Sequence, residues 1–366
     1  MTTPQQRHRE NESVNPMAYD VMREAATVLG ARYVAARRVA KTPVEQSKWS
    51  AELFELWDQI REVDPYNATQ IASKRAHLRV LLQQTERLAR LEPPLPDPYQ
   101  SLDEKLSEEI FADVIWPHYL RMSQTNSGQK TTPTAIETVA AATTPRFVSV
   151  GGQPGSGKGR VVEAVSNTIA GAVSVMGDEL RQFHPTFNQL MAENPLEMPK
   201  VTAAASGKWV SLVTQNLRRH QLSAVVETTL RQATMLLAEF QNFRDAGYQT
   251  ELQVVAVPLE LSRQATVTRF QGQVDDFGTG RWTPRDHHDT AAAAVPQTIE
   301  TLANSGLVDV ISVKDHAGHP WYQHQTKPGD PAGSRTQLQV ILEAVANLRQ
   351  LKNLDDAARA RWSARV

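Results

Sequence analysis

Apolar positions between Met17 and Glu92 recur at three- and four-residue steps, and this spacing predicts a run of helices. Tyr19, Met22, Ala25, Ala26, Leu29 and Tyr33 share one face of the first. Thr42-Pro43-Val44-Glu45 reads as a capping box with Pro at the first helical position, opening a second helix that buries Trp49, Leu53, Trp57 and Ile60. A third follows Asp64-Pro65, with Ile71, Leu78, Leu81, Leu82, Leu88 and Leu91 as its stripe. Three helices joined by short turns predict a small all-α bundle. The polar stretch 1–16 predicts a disordered start. Pro93-Pro94-Leu95-Pro96-Asp97-Pro98 cannot continue a helix and marks a stiff spacer, dividing the chain into a helical region 1–98 and a second domain 99–366.

Beyond the spacer the pattern changes. A helix over about Leu102 to Met122 and a polar loop lead to short, largely apolar runs at Phe147–Val150, Ala172–Met176, Ala224–Val226, Glu251–Val257 and Asp309–Val313. Longer helix-compatible segments separate them, and helical text ends near Trp362. Apolar strands alternating with helices predict an α/β fold, a parallel sheet with helices on both faces.

Composition narrows the function classes. Hydrophobic residues make up 40% of the 366, enough for a sizeable core. Lys plus Arg number 39 against 40 Asp plus Glu, which argues against a nucleic-acid coat and disfavours an RNA-end kinase. The absence of cysteine removes disulfides, thiolate metal sites and cysteine nucleophiles. No apolar run approaches a membrane span and no signal-peptide core is present, so a cytoplasmic location is expected. Arg37-Arg38 and Arg218-Arg219-His220 read as solvated helix faces. Adjacent His287 and His288 point apart on a helix, so His287-His288-Asp289 is not read as a metal site.

The sharpest chemical signal is Gly151-Gly152-Gln153-Pro154-Gly155-Ser156-Gly157-Lys158, between the strand Phe147–Val150 and a helix read over Arg160 to Ile169. Glycines let backbone N–H groups surround phosphate oxygens, the helix N-terminus adds its dipole, and Lys158 reaches the phosphates. The next position ordinarily carries a Ser or Thr hydroxyl for Mg²⁺, but here it is Gly159. The second strand ends in Gly177-Asp178-Glu179-Leu180-Arg181, and a carboxylate at that end faces the crevice of a parallel sheet. Asp178 is therefore read either as a general base for a substrate hydroxyl or as a helix cap. The third strand ends in Glu227-Thr228-Thr229-Leu230-Arg231.

These motifs, with His184-Pro185, Ala246-Gly247-Tyr248, Val255-Ala256-Val257-Pro258, Arg269-Phe270, Arg281 and His288-Asp289 in the same order, resemble the zeta-toxin family of P-loop kinases from about Leu106 to Tyr322. The resemblance implies an ATP- and Mg²⁺-dependent kinase that phosphorylates the 3′-hydroxyl of the sugar in UDP-N-acetylglucosamine. By it, ATP would be bound by Gly152, Gln153, Pro154, Gly155, Ser156, Gly157, Lys158 and Gly159. Asp178 would be the general base, Arg269 and Arg281 would contact the transferring phosphate, and Glu227, Thr229 and Arg231 would engage the substrate with Asp178. No metal-ligating side chain is assigned. An acidic substrate residue that family members often carry one helix before the third strand has no counterpart near Ser211. Acceptors such as NAD therefore stay open, as does a pseudokinase that binds nucleotide without transferring phosphate. The resemblance also implies a helical antitoxin partner, and some relatives carry such a segment in the same chain. The bundle 1–98 is accordingly read either as a docking appendage or as an inhibitor in cis.

Overall fold

The computed structural model describes residues 17–92, 97–126, 144–325 and 335–350; the polar start, most of the Pro-rich spacer, the loop before the first strand and the closing helical text near Trp362 lie outside them. Helix α1 (Ala18–Val39) is buried on nearly every side rather than along one stripe. One side meets α2 (Pro43–Arg61) and α3 (Ala68–Gln84), and the other meets the α/β domain. Arg23, Glu24 and Thr27 are thereby buried along with the apolar positions. The capping box of α2 forms as read: Thr42 Oγ1 accepts the Glu45 N–H at 3.2 Å, and Glu45 Oε2 accepts the Thr42 N–H at 3.2 Å. Leu53, Trp57 and Ile60 are buried, while Trp49 is half-buried and stacks on Tyr33. Ile71, Leu78 and Leu82 are buried in α3, but α3 ends at Gln84, so Leu91 is 42% exposed.

The helix read over Leu102–Met122 is interrupted. Helix α4 (Glu104–Ile110) passes through a π-turn at Phe111–Ile115 into α5 (Trp116–Asn126). The domain then runs β1 (Arg146–Gly151), α6 (Lys158–Ser166), β2 (Val173–Val175), α7 (Ala203–Arg219), β3 (Ala224–Thr228), α8 (Ala233–Asp245), β4 (Gln249–Val255), α9 (Leu259–Phe277), α10 (Arg285–Asn304), β5 (Val310–Lys314), β6 (Pro320–Gln325) and α11 (Arg335–Leu348). Short helices at Gly177–Leu180, Phe187–Glu193 and Met198–Val201 fill the β2–α7 connection.

The sheet order is β2-β3-β1-β4-β5-β6, with β1 to β5 parallel and β6 antiparallel at the edge. The pattern missed β6 because its residues are mostly exposed and polar, as an edge strand allows. Alternation along β1 separates two cores. Val148 and Val150 pack with Val161, Val162 and Val165 of α6, whereas Phe147 stacks on Phe243 of α8 at 4.0 Å in the other. Helices therefore cover both faces, the arrangement of a P-loop kinase-like fold.

The basic clusters are engaged rather than simply solvated. Arg38 pairs with Glu92 at 2.7 Å and donates to the Phe183 carbonyl, and Arg37 donates to Ser50. Arg218 pairs with Glu239 at 3.0 Å over the Phe243 ring, and His220 stacks on Trp116, while Arg219 and His220 both stay exposed. Each partner comes from a distant segment, out of reach of local pattern reading.

Candidate active site

β1 delivers the chain into the glycine loop, and α6 begins at Lys158, two residues earlier than the pattern suggested. Gly155 (φ 76°) and Gly157 (φ 83°) adopt the left-handed backbone that glycine tolerates best. A Cβ on Gly155 would collide with the Ser262 carbonyl of α9. Gln153 is fully buried behind the loop, donating to the Val257 carbonyl at 2.9 Å and accepting from Arg349 at 3.2 Å. Ser262 in turn meets His288 Nε2 at 2.8 Å, and His288 Nδ1 meets Asp289 at 2.8 Å, so these histidine and aspartate motifs brace the loop from behind.

In front of the loop lies a cavity of about 740 Å³ that brings together Pro154, Gly155, Gly157, Lys158, Gly159, Asp178, Glu227, Thr229, Arg231, Arg269 and Arg281. Gly152, Gln153 and Ser156 do not line it. Gly152 sits against the Val255 carbonyl, and Ser156 is buried. Asp178 lies in the first turn of Gly177–Leu180, not at its cap. Its Oδ1 accepts from Arg181 at 3.0 Å, and its Oδ2 pairs with Arg281 at 2.9 Å. Burial would raise its carboxyl, but Arg281, then Arg181 and Arg269, outweigh burial and hold it well below the usual carboxylate range. Lys158 Nζ rests on Glu227 at 3.0 Å. Arg269 donates to Thr283 at 2.7 Å. Thr229 and Arg231 flank Leu230, whose φ of 54° is strained for a branched side chain. Its side chain fills the space over Gly151, and Thr298 holds its carbonyl at 2.7 Å, so both neighbours reach the cavity.

The sequence reading missed the fourth wall. Asp20, Arg23, Glu24 and Thr27 of α1 line the same cavity. A Cβ on Gly159 would lie 2.8 Å from Asp20 Oδ1, so the missing side chain leaves room for that carboxylate at the start of the phosphate helix. Glu24 faces Arg281 at 3.3 Å, opposite Asp178. Arg23 pairs with Glu163 at 2.8 Å and with Glu179, whose carboxyl burial pushes up to about 7 against the pull of Arg23. Burial likewise raises Asp20, against Arg269 and Lys158. The available signal was the i, i+3, i+4, i+7 polar stripe Asp20, Arg23, Glu24 and Thr27 on an otherwise apolar helix.

The glycine cradle, its lysine and the two arginines suit a nucleoside triphosphate. Among the described residues no cluster of three acidic, histidine or cysteine side chains forms a metal site. Nor is any described helix long and apolar enough to cross a membrane.

A parallel sheet with a glycine loop feeding a helix N-terminus at its centre defines a P-loop kinase-like α/β protein. The zeta-toxin family model matches residues 130–327, and the chain belongs to that family. It is 29% identical over 190 residues to the zeta toxin of Streptococcus agalactiae and 30% identical over 190 residues to that of Enterococcus hirae. Each match covers 51% of this chain and 66% of the relative, just under two thirds of its length. A chain from the solved PezAT chromosomal toxin–antitoxin system of Streptococcus pneumoniae shares the fold, with a TM-score of 0.55, 17% identity, and coverage of 72% of this chain and 95% of that one.

Proposed function

We propose that this chain is an ATP-dependent kinase that phosphorylates the sugar hydroxyl of UDP-N-acetylglucosamine or a related nucleotide, held shut by its own N-terminal helix. The observation that carries the reading is the meeting of Asp178, Lys158, Arg269 and Arg281 in one cavity with Glu227, Thr229 and Arg231. Asp178, kept ionised, accepts the proton of the attacking hydroxyl. Lys158, Arg269 and Arg281 offset the charge on the transferring phosphate. Mg²⁺ bound with the nucleotide would supply further charge neutralisation, and Gly159 would offer it no side-chain ligand.

Helix α1 supports the inhibitory reading of residues 1–98. Asp20 sits at the phosphate cradle and Glu24 sits on Arg281, two carboxylates against the groups a nucleotide needs. Tethering makes such an inhibitor effective without a separate partner. The test is phosphate transfer from ATP in the full chain and in the Asp20→Asn/Glu24→Gln variant, across UDP-N-acetylglucosamine, other UDP-sugars and NAD. The expected result is transfer to one acceptor, at least tenfold faster in the variant. Gly159 favours a second reading, a nucleotide-binding pseudokinase. ATP binding without transfer to any acceptor in the variant would establish it.

A further inference from the structure

Helix α11 and the residue after it lie beyond the family match at 130–327, yet they reach the phosphate loop from behind. Ile341, Val345 and Leu348 bury one face of α11 in the core that also holds Ile311 and Val313 of β5 and Ile299 and Leu302 of α10. That docking carries Arg349, one residue past the helix, to the buried side of the glycine loop. Its Nη2 donates to Gln153 Oε1 at 3.2 Å, and its Nε is buried without a hydrogen-bond partner. Among the described residues no acidic side chain offsets the burial of this cation.

Gln153 has no exposure at all, so its amide must find its partners inside the protein. Oε1 and Nε2 have nearly the same shape, and only their partners decide which way the amide is turned. A guanidinium only donates, so Arg349 can engage the oxygen alone and thereby directs Nε2 to the Val257 carbonyl, 2.9 Å away. Gln153 is also the first residue of the loop's own turn. Its carbonyl accepts the Ser156 N–H at 3.2 Å across Pro154 and Gly155 (φ 76°), the Pro-Gly pair that a type II turn prefers. We propose that Arg349 is a positioning residue for the phosphate loop: by fixing the Gln153 amide it fixes the turn that aims the following backbone N–H groups at phosphate. The chain thus draws part of its nucleotide affinity from a helix outside the family-matched region. The role rests on the reading of the cavity as a nucleotide site.

The experiment is calorimetric titration of the full chain carrying Asp20→Asn/Glu24→Gln, with ATP and, separately, with inorganic tripolyphosphate. Both ligands should bind that parent. Arg349→Met, which fills the space without a donor, should weaken both about tenfold and leave the number of sites per chain unchanged. Arg349→Lys, which keeps a cationic donor, should recover most of the loss. Gln153→Leu should also weaken both ligands, and adding Arg349→Met to it should cost nothing further, because no amide is left to orient. In phosphate transfer the loss should read as an about tenfold higher KM for ATP at unchanged kcat, since the loop holds phosphate before and during the reaction alike. Fewer sites per chain at unchanged affinity would make Arg349 a structural anchor and overturn the proposal. So would an Arg349→Met loss that persists in full beside Gln153→Leu. If the parent binds neither ligand, the nucleotide reading itself fails and the positioning role falls with it.

Discussion

A serine at position 159 would do two things that glycine does not. Its hydroxyl would offer Mg²⁺ a ligand, and its Cβ would press on Asp20 Oδ1 at 2.8 Å. Gly159→Ser is therefore expected to raise phosphate transfer by about one to two orders of magnitude in the full chain. In an Asp20→Ala background, where the steric route is gone, only the gain through Mg²⁺ should remain, read as a lower Mg²⁺ requirement. A serine that leaves both rate and Mg²⁺ requirement unchanged would mean that position 159 matters to neither. Asp178 invites a cleaner substitution. Asp178→Asn keeps the shape and removes the proton acceptor, so transfer should fall by about 10²–10⁴. ATP affinity, measured by titration, should hold. Near-normal turnover would remove Asp178 from the chemistry.

At the scale of elements, α1 is seated by buried charge pairs as well as by its apolar positions. Arg23 is buried between Glu163 and Glu179, with Tyr19 and Trp57 flanking its guanidinium. Arg23→Ala strands two buried carboxylates and should lower the unfolding free energy by about 3–5 kcal/mol, measured by urea denaturation. Arg23→Met, which fills the space without restoring charge, should recover little of it. A loss under about 1 kcal/mol would show that α1 is held by packing alone. The strand-to-helix corner at Leu230 shows the complementary case. There a strained backbone is fixed by packing on Gly151 and by the Thr298 bond, which keeps Thr229 and Arg231 turned to the cavity.

Across the whole molecule, bundle and α/β domain meet around His118 of α5. Its ring lies against Phe54 and Trp57 of α2 and against Phe183. Burial, reinforced by Arg61 and Arg121, lowers its pKa from 6.5 to about 3. The unfolded chain takes up a proton near pH 6.5 that the folded chain refuses. The stability His118 contributes is thus complete above about pH 6.5 and is lost as pH falls toward 3, at about 1.4 kcal/mol per pH unit. His184, whose pKa burial also lowers, to about 4, adds to the pH dependence between pH 7 and 4, so His118→Gln should reduce the slope of denaturation measured there without abolishing it. An unchanged slope would place the titration elsewhere. The same packing bears on truncation: removing residues 1–98 should increase activity and also lower the melting temperature, because it uncovers His118, Phe183 and the buried charges facing α1. Substitutions within α1 separate the two effects.

Local grammar made the phosphate loop, the capping box and the apolar strands legible, because each is a contiguous run whose backbone geometry depends on its own residues. The order of strand-end motifs carried the family for the same reason. The sequence also held the polar stripe of α1, but not its meaning. The partners of Arg23 and Glu24 lie 140 and 257 residues away, and only the tertiary fold brings Glu163 and Arg281 to them. The all-round burial of α1, the engagement of Arg38 and Arg218, and the edge strand β6 were decided in the same way. Periodicity reports which face of an element avoids water; which distant charge or ring then meets that face depends on how the finished layers pack.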